Sequence, residues 1–241
     1  MKQTTFASTR FESVTKRTSK REFLEEMNLV VTWAELTGLI QPFAPASKTG
    51  RPPFPVATTL RIHFIQQWFG LSDPALEEAL HDMTLFREFA LLDAGAARLP
   101  DESTILRFRH LIEGNNLATQ ILATVNAKLI ERGLLLKAGT VVDAPLILAP
   151  SSTKNSSCEH DPEMHQTKKS KTVDALVDKL EKVKASIRAK VEHPFRVIKC
   201  QFGYCKTRYR GLIKNTAQPT TLFALSSLWM VRKRIIQGPT G

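Results

Sequence analysis

The stretch LLLKAGTVVDAPLILAP, Leu134 to Pro150, most limits what this chain can fold into. Val141, Val142, Leu146, Ile147 and Leu148 favour strand, between Gly139 and Pro150. The other periodic segments repeat at helical spacing. A single strand cannot satisfy its own backbone groups, and even a hairpin is marginal. Either weaker strands lie within 144–170, or the sheet is incomplete.

The residues before this stretch read as helices. KREFLEEMNLVVTWAELTGLI predicts one helix, with Phe23, Met27, Val30 and Trp33 at helical spacing. The loop APASKTGRPPFP follows, rich in proline. VATTLRIHFIQQWFG predicts a helix with Leu60, Phe64 and Trp68 on one side, ended by Gly70. LSDPALEEALHDM opens with Asp73 as a cap and Pro74 at the first helical position. An acidic cap near Asp101 starts the next helix, and NNLATQILATVNAKLIERG stops at Gly133. The chain therefore divides into an all-helical part, 1–133, and a second part, 134–241. In the second part, SSTKNSSCEHDPEMHQTKKSK predicts loop, and the segment from Lys171 to Gly203 returns to helical spacing. GYCKTRYRGLIKN is irregular, and a last helix runs near PTTLFALSSLWMVRKRII.

Charge narrows the partners. The chain has 241 residues, with 34 Lys+Arg against 23 Asp+Glu, a formal charge of +11. Between Lys168 and Arg210 there are 13 Lys+Arg against 4 Asp+Glu, so the excess is concentrated there. That favours nucleic acid over an acidic membrane surface. No apolar run is long enough to span a bilayer, and MKQTTFASTRFESVTKR lacks the apolar core of a signal peptide. Cys158, Cys200 and Cys205 have no convincing metal-type spacing, which points to a reduced cytosolic setting. Cys158, His160 and His165 fit no common zinc pattern, and Ser151 and Ser152 lack a base for hydrolase chemistry.

Two carboxylates stand out. On a helical wheel, Ile187, Val191, Phe195, Ile198 and Phe202 form one stripe; Arg188, Glu192, Arg196 and Lys199 form another. Glu192 is either the centre of two surface ion pairs or a metal-binding acid beside bound DNA. Asp143, among strand-forming neighbours, is either a turn cap before Pro145 or a paired or metal-bound carboxylate. Lys206, Arg208, Arg210 and Lys214, interleaved with Tyr204 and Tyr209, suit contacts to a nucleic-acid backbone, as do Lys190 and Arg196.

GTVVDAPLILAPSSTKN, DPEMHQTKK and IRAKVEHPFRVIKCQFGYCKTRYRGLIKNTAQ resemble the DDE transposases of bacterial insertion sequences, of the insertion-sequence-five group. FPVATTLRIHFIQQWFGLSDPALEEALHDM and LPDESTILRFRHL resemble that group's helical leader domain. The resemblance implies metal-dependent hydrolysis and strand transfer of double-stranded DNA at terminal inverted repeats, with Mg2+ or Mn2+. It places Asp143 as the first acid and Glu192 as the last, both metal ligands, with Arg188 and Lys199 as catalytic companions at the family's spacing. Ala185 stands where the family has Tyr. The family's block carrying the middle Asp is missing: only 48 residues separate Asp143 from Glu192. The expected architecture is mainly α, with a helical N-terminal domain and a truncated ribonuclease-H-like α/β remnant. The expected protein is a cytoplasmic transposase, a homodimer off the membrane, defective in catalysis for want of a bridging carboxylate. The alternatives are a non-catalytic DNA-binding competitor of the full-length enzyme, or a degraded product without a role.

Overall fold

The structure is a computed structural model that describes residues 17–45, 52–92, 98–134, 179, 182, 193–207, 209 and 211–237. These residues are mainly α-helical, with no strand among them. The strand expected around Asp143 lies outside the described residues, so the ribonuclease-H-like remnant is not among the elements seen here. So do residues 171–178, 180, 181 and 183–192 of the helix expected from Lys171 to Gly203.

The order is α1 (Ser19–Val30), α2 (Trp33–Ile40), a 3-10 turn (Gln41–Phe43), α3 (Val56–Phe69), α4 (Asp73–Asp82), α5 (Thr84–Phe89), α6 (Glu102–Gly114), α7 (Leu117–Glu131), a π turn (Val197–Gln201) and α8 (Leu212–Gln237). The single helix expected over residues 20–40 is two. Val31 and Thr32 leave helical geometry, with ψ of 128° and 72°, in a run of β-branched residues that lose rotamer freedom in a helix. Ser72, rather than Asp73, caps α4: its hydroxyl accepts from the Ala75 amide at 3.3 Å. Asp101 caps α6 as expected, accepting from the Thr104 amide at 2.9 Å. Gly70 (φ 58°) and Gly133 (φ 66°) end α3 and α7 in left-handed geometry, which a Cβ would strain. The short helix α5 was not foreseen in the sequence. Helix α8 starts seven residues before Pro219 and carries it inside. Proline there removes one ladder donor, and Thr216, Thr220 and Thr221 turn their hydroxyls onto carbonyls one turn back.

Helix α3 is the axis. Eleven of its fourteen residues are buried, so it has no solvent face and must be wrapped by others. Helices α2, α5, α6 and α8 pack against it. An aromatic cluster joins four helices: Trp68 lies edge-on to Phe23 (5.4 Å), Phe64 (5.6 Å) and Phe89 (5.7 Å), and Trp33 meets both Phe64 and Phe89. Such pairs contribute about 0.5–1.5 kcal/mol each beyond their buried area. Helix α8 closes the bundle from the far end of the chain, against α7 and α1. Arg232 fixes it to α1 through Glu26 at 2.7 Å.

The π turn corrects the expected stripe of the segment that contains it. Val197 (3% exposed), Ile198 and Phe202 are buried, while Phe195 is half exposed and touches Phe223 edge-on. A π turn bonds residues five apart, here the Phe202 amide to the Val197 carbonyl, so Val197 and Phe202 come to one side.

Enclosing α3 also buries polar groups. His63 lies edge-on to Phe108 at 5.9 Å, beside Arg109. Burial, and then the Arg109 charge, push its pKa down to about 4. In the unfolded chain an imidazole titrates near 6.5, so the unfolded state takes up the proton first. Stability from this group is therefore complete above pH ~6.5 and drains as pH falls towards 4, by up to ~3 kcal/mol. Urea unfolding across that window should show this loss, and His63→Leu should flatten the slope. An unchanged slope in the variant would assign the acid sensitivity to other groups.

Candidate functional site

Five basic side chains of the helical bundle meet carboxylates. Arg17 pairs with Glu25, Arg21 with Glu88, Arg109 with Asp73, Lys128 with Glu35 and Arg232 with Glu26, at 2.7–3.0 Å. The stretch from His193 to Lys214 differs. Arg196, Lys199 and Lys206 are exposed and Lys214 is half-buried. None of the four has a carboxylate partner among the described residues, nor do they gain one from the bundle. The local composition fits this: residues 193–214 hold six Lys and Arg and no Asp or Glu. An exposed, unpaired cation keeps its charge available to an outside polyanion. That absence of acid is the sequence signal that a count over 168–210 blurs.

Of the residues expected to act, Asp143, Arg188, Lys190, Glu192, Arg208 and Arg210 lie outside the described residues. Arg196 and Lys199 sit on the helical turn and π turn that α8 supports, with Val197, Ile198 and Phe202 facing the core. Lys206 and Lys214 flank the connection into α8. Cys200 and Cys205 are free and exposed.

A second group of residues escapes sequence reasoning. Arg109 of α6 is buried, and its Nη1 donates to Asp73 Oδ1 at 2.7 Å and to the Tyr209 hydroxyl at 3.1 Å. Its guanidinium also lies 4.4 Å from the centre of the Tyr209 ring, and its Nε lies 3.6 Å from Glu113. Gln66 of α3 donates to the same Asp73 oxygen at 2.6 Å. Asp73 is thus held inside the bundle beside Glu113, which leaves Ser72 to do the capping. Breaking such a buried pair costs on the order of 3–5 kcal/mol, because one charge is left uncompensated. Burial lifts the Tyr209 phenol above its usual pKa, so it stays neutral and can accept from Arg109. Tyr209 is therefore engaged within the protein rather than open for stacking. His63, Gln67 and Gln218 border a small cavity beside this group, about 10 Å³ in volume. Their Nε2 and Oε1 atoms have no hydrogen-bond partner in the structure.

Residues 12–111 match the family model described as a transposase domain, DUF772. Residues 116–228 match the model described as a transposase DDE domain. No solved structure matches the chain. The second match begins at the start of α7 and ends within α8, the two helices in the largest mutual contact. Both helices belong to the core that α1, α2 and α3 share with them, so the two matched regions meet in one hydrophobic interior. A transposase acts on DNA, and its DDE domain implies dependence on a divalent metal. Among the described residues no group of three or more His, Cys, Asp or Glu could hold such an ion. The two acids that do converge, Asp73 and Glu113, are both engaged by Arg109, a poor fit for a cation. Two successive regions of the chain thus match transposase family models, a DUF772 domain first and a DDE domain second.

Proposed function

We propose that this protein is an internally shortened transposase of the insertion-sequence-five group, which binds the terminal inverted repeats of its element and is defective in cutting and joining them. The observation that carries the binding half is the acid-free stretch 193–214, where Arg196, Lys199, Lys206 and Lys214 have no carboxylate partner among the described residues, beside a closed helical bundle. A phosphate backbone is the partner such cations suit: each contact releases counterions, which favours association at low salt. The protein works on double-stranded DNA in the bacterial cytoplasm, as a homodimer that brings two ends together. Among the described residues no helix is long and apolar enough to cross a membrane.

The reaction of the lineage is phosphodiester hydrolysis followed by strand transfer. Asp143 and Glu192 would supply the hard oxygen donors for Mg2+ or Mn2+, which when bound activates water and stabilises the departing oxygen. Arg188 and Lys199 would orient a phosphate, and Lys190, Arg208 and Arg210 would extend the backbone contacts. The defect follows from the missing middle Asp. Asp161 belongs to the DPEMHQTKK motif and Asp174 and Asp178 to the segment of helical spacing, so none is assigned the bridging role. A two-ion centre without its shared carboxylate misplaces the reacting groups, and errors near 1 Å already cost about 100-fold in rate.

A second reading is a competitor that occupies DNA ends without cutting them. It is favoured by the way α8 seals the bundle with contacts to α1, α3, α6 and α7, which gives a binding body independent of the catalytic acids.

Filter binding on a labelled terminal-repeat duplex should show log K falling linearly with log salt. Replacing Arg196, Lys199, Lys206 and Lys214 together by Gln should reduce the slope by up to about 3.6, at roughly 0.9 per phosphate contact. Affinity indifferent to salt would sink the DNA-binding reading. In a cleavage and strand-transfer assay with Mg2+ or Mn2+, the chain should give no product. Product that disappears in both Asp143→Ala and Glu192→Ala would show instead that the shortened centre is active.

A further inference from the structure

Arg109 and Tyr209 are one hundred residues apart, yet they touch through both a hydrogen bond and a ring face. The contact is one link in a longer run. Asp73 and Glu113 hold the guanidinium. Tyr209 meets it with its hydroxyl and its ring. Asn215, in the first turn of α8, then grips the Tyr209 backbone twice: its Oδ1 accepts from the Tyr209 amide at 3.2 Å, and its Nδ2 donates to the Tyr209 carbonyl at 2.6 Å. The same Nδ2 donates to the Gly211 carbonyl at 2.9 Å. Gly211 has φ 97°, a left-handed turn that a side chain would strain. A surface connection between two basic positions is thus pinned at a side chain, at a backbone and at a turn.

We propose that Arg109 is a positioning residue for DNA binding. Acting through Tyr209, it holds the connection between Lys206 and Lys214 in one presentation against the bundle, so that these cations meet a phosphate backbone already placed. The inference rests on the DNA-binding reading above and adds to it a residue that never touches DNA. Its physical basis is preorganisation. A mobile basic connection pays conformational entropy when it docks, whereas a pinned one has paid it on folding. The ion pair with Asp73 makes the anchor rigid, because a buried guanidinium cannot leave its carboxylates without losing them uncompensated. Lys206 lies three residues before Tyr209, and Lys214 directly precedes Asn215, so both cations follow wherever the pinned residues are held.

The test compares the full chain with Tyr209→Phe and Asn215→Ala. Tyr209→Phe keeps the ring over Arg109 and removes only the hydroxyl. Each variant should bind the terminal-repeat duplex about fivefold to tenfold more weakly, the range set by ordering a few side chains on binding. The salt slope should stay at the wild-type value, because the cations are unchanged. Amide hydrogen exchange should quicken at 204–215 while α3 and α6 keep their protection. Arg109→Lys, which retains the charge but not the planar fork, should behave like Tyr209→Phe. If exchange quickens across the whole bundle as well, Arg109 is a core residue only and the positioning role falls. Wild-type affinity in both Tyr209→Phe and Asn215→Ala also overturns it. If the wild-type chain fails to bind the duplex, the DNA-binding reading fails instead, and unchanged exchange at 204–215 in the variants would separately refute the pinning.

Discussion

Helix α3 has no face left for solvent, and the rest of the bundle is arranged around that fact. A helix buried on all sides cannot be wholly apolar in this sequence: Arg61, His63, Gln66 and Gln67 go inside with Phe64 and Trp68. Each needs an internal solution. Arg61 is stacked between aromatic rings, 3.9 Å from the Trp33 centre and 5.2 Å from Phe89, and donates to Asn28 Oδ1 at 2.7 Å. Burial lowers its pKa, yet a guanidinium stays charged, so cation–π contact stands in for a counterion. Gln66 solves its problem through Asp73, and Asp73 in turn requires Arg109. The demand for satisfied polar groups passes outward from the central helix until it reaches Tyr209 and the C-terminal connection.

This links stability to the basic segment. Several basic side chains of the bundle, and Arg232 of α8, meet the bundle's acids, whereas Arg196, Lys199, Lys206 and Lys214 have no carboxylate partner among the described residues. Helix α8 serves both sides. Its apolar residues Leu222, Leu225 and Leu228 complete the core, while its first turn holds Lys214 and the Asn215 that fixes the preceding connection. A domain match that starts in α7 and ends in α8 therefore includes elements that the leader helices need for closure.

Local chemistry was legible in the sequence; long-range pairing was not. Gly70, Asp101 and Gly133 end or start helices by rules that act within one turn, and the structure places them there. The helix break at Val31 was masked because Phe23, Met27, Val30 and Trp33 keep helical spacing across it. A periodic pattern reports which residues face inward, not whether the backbone between them is continuous. Asp73 looked like a cap because it sits next to Pro74, but Ser72 can cap as well, and that frees the carboxylate for Arg109. Nothing near Asp73 in sequence announces a partner 36 residues on. The cations at 196, 199, 206 and 214 were legible because charge does not depend on register. The Arg109 group was not, because it is assembled from α3, α4, α6 and the C-terminal connection.

Register also bears on the family's own signature. The spacing of six residues between Glu192 and Lys199 was placed on a regular wheel, at 3.6 residues per turn. Val197 to Gln201 form a π turn instead, so the last part of that interval advances less per residue than an α-helix does. Lys199 therefore lags behind the stripe drawn through Arg196, and Val197 takes the inward place that the wheel gave to Phe195. A motif defined by counting residues survives such a turn unchanged, whereas the direction of its lysine does not. Where Lys199 points is decided by how Val197 and Phe202 pack beneath it.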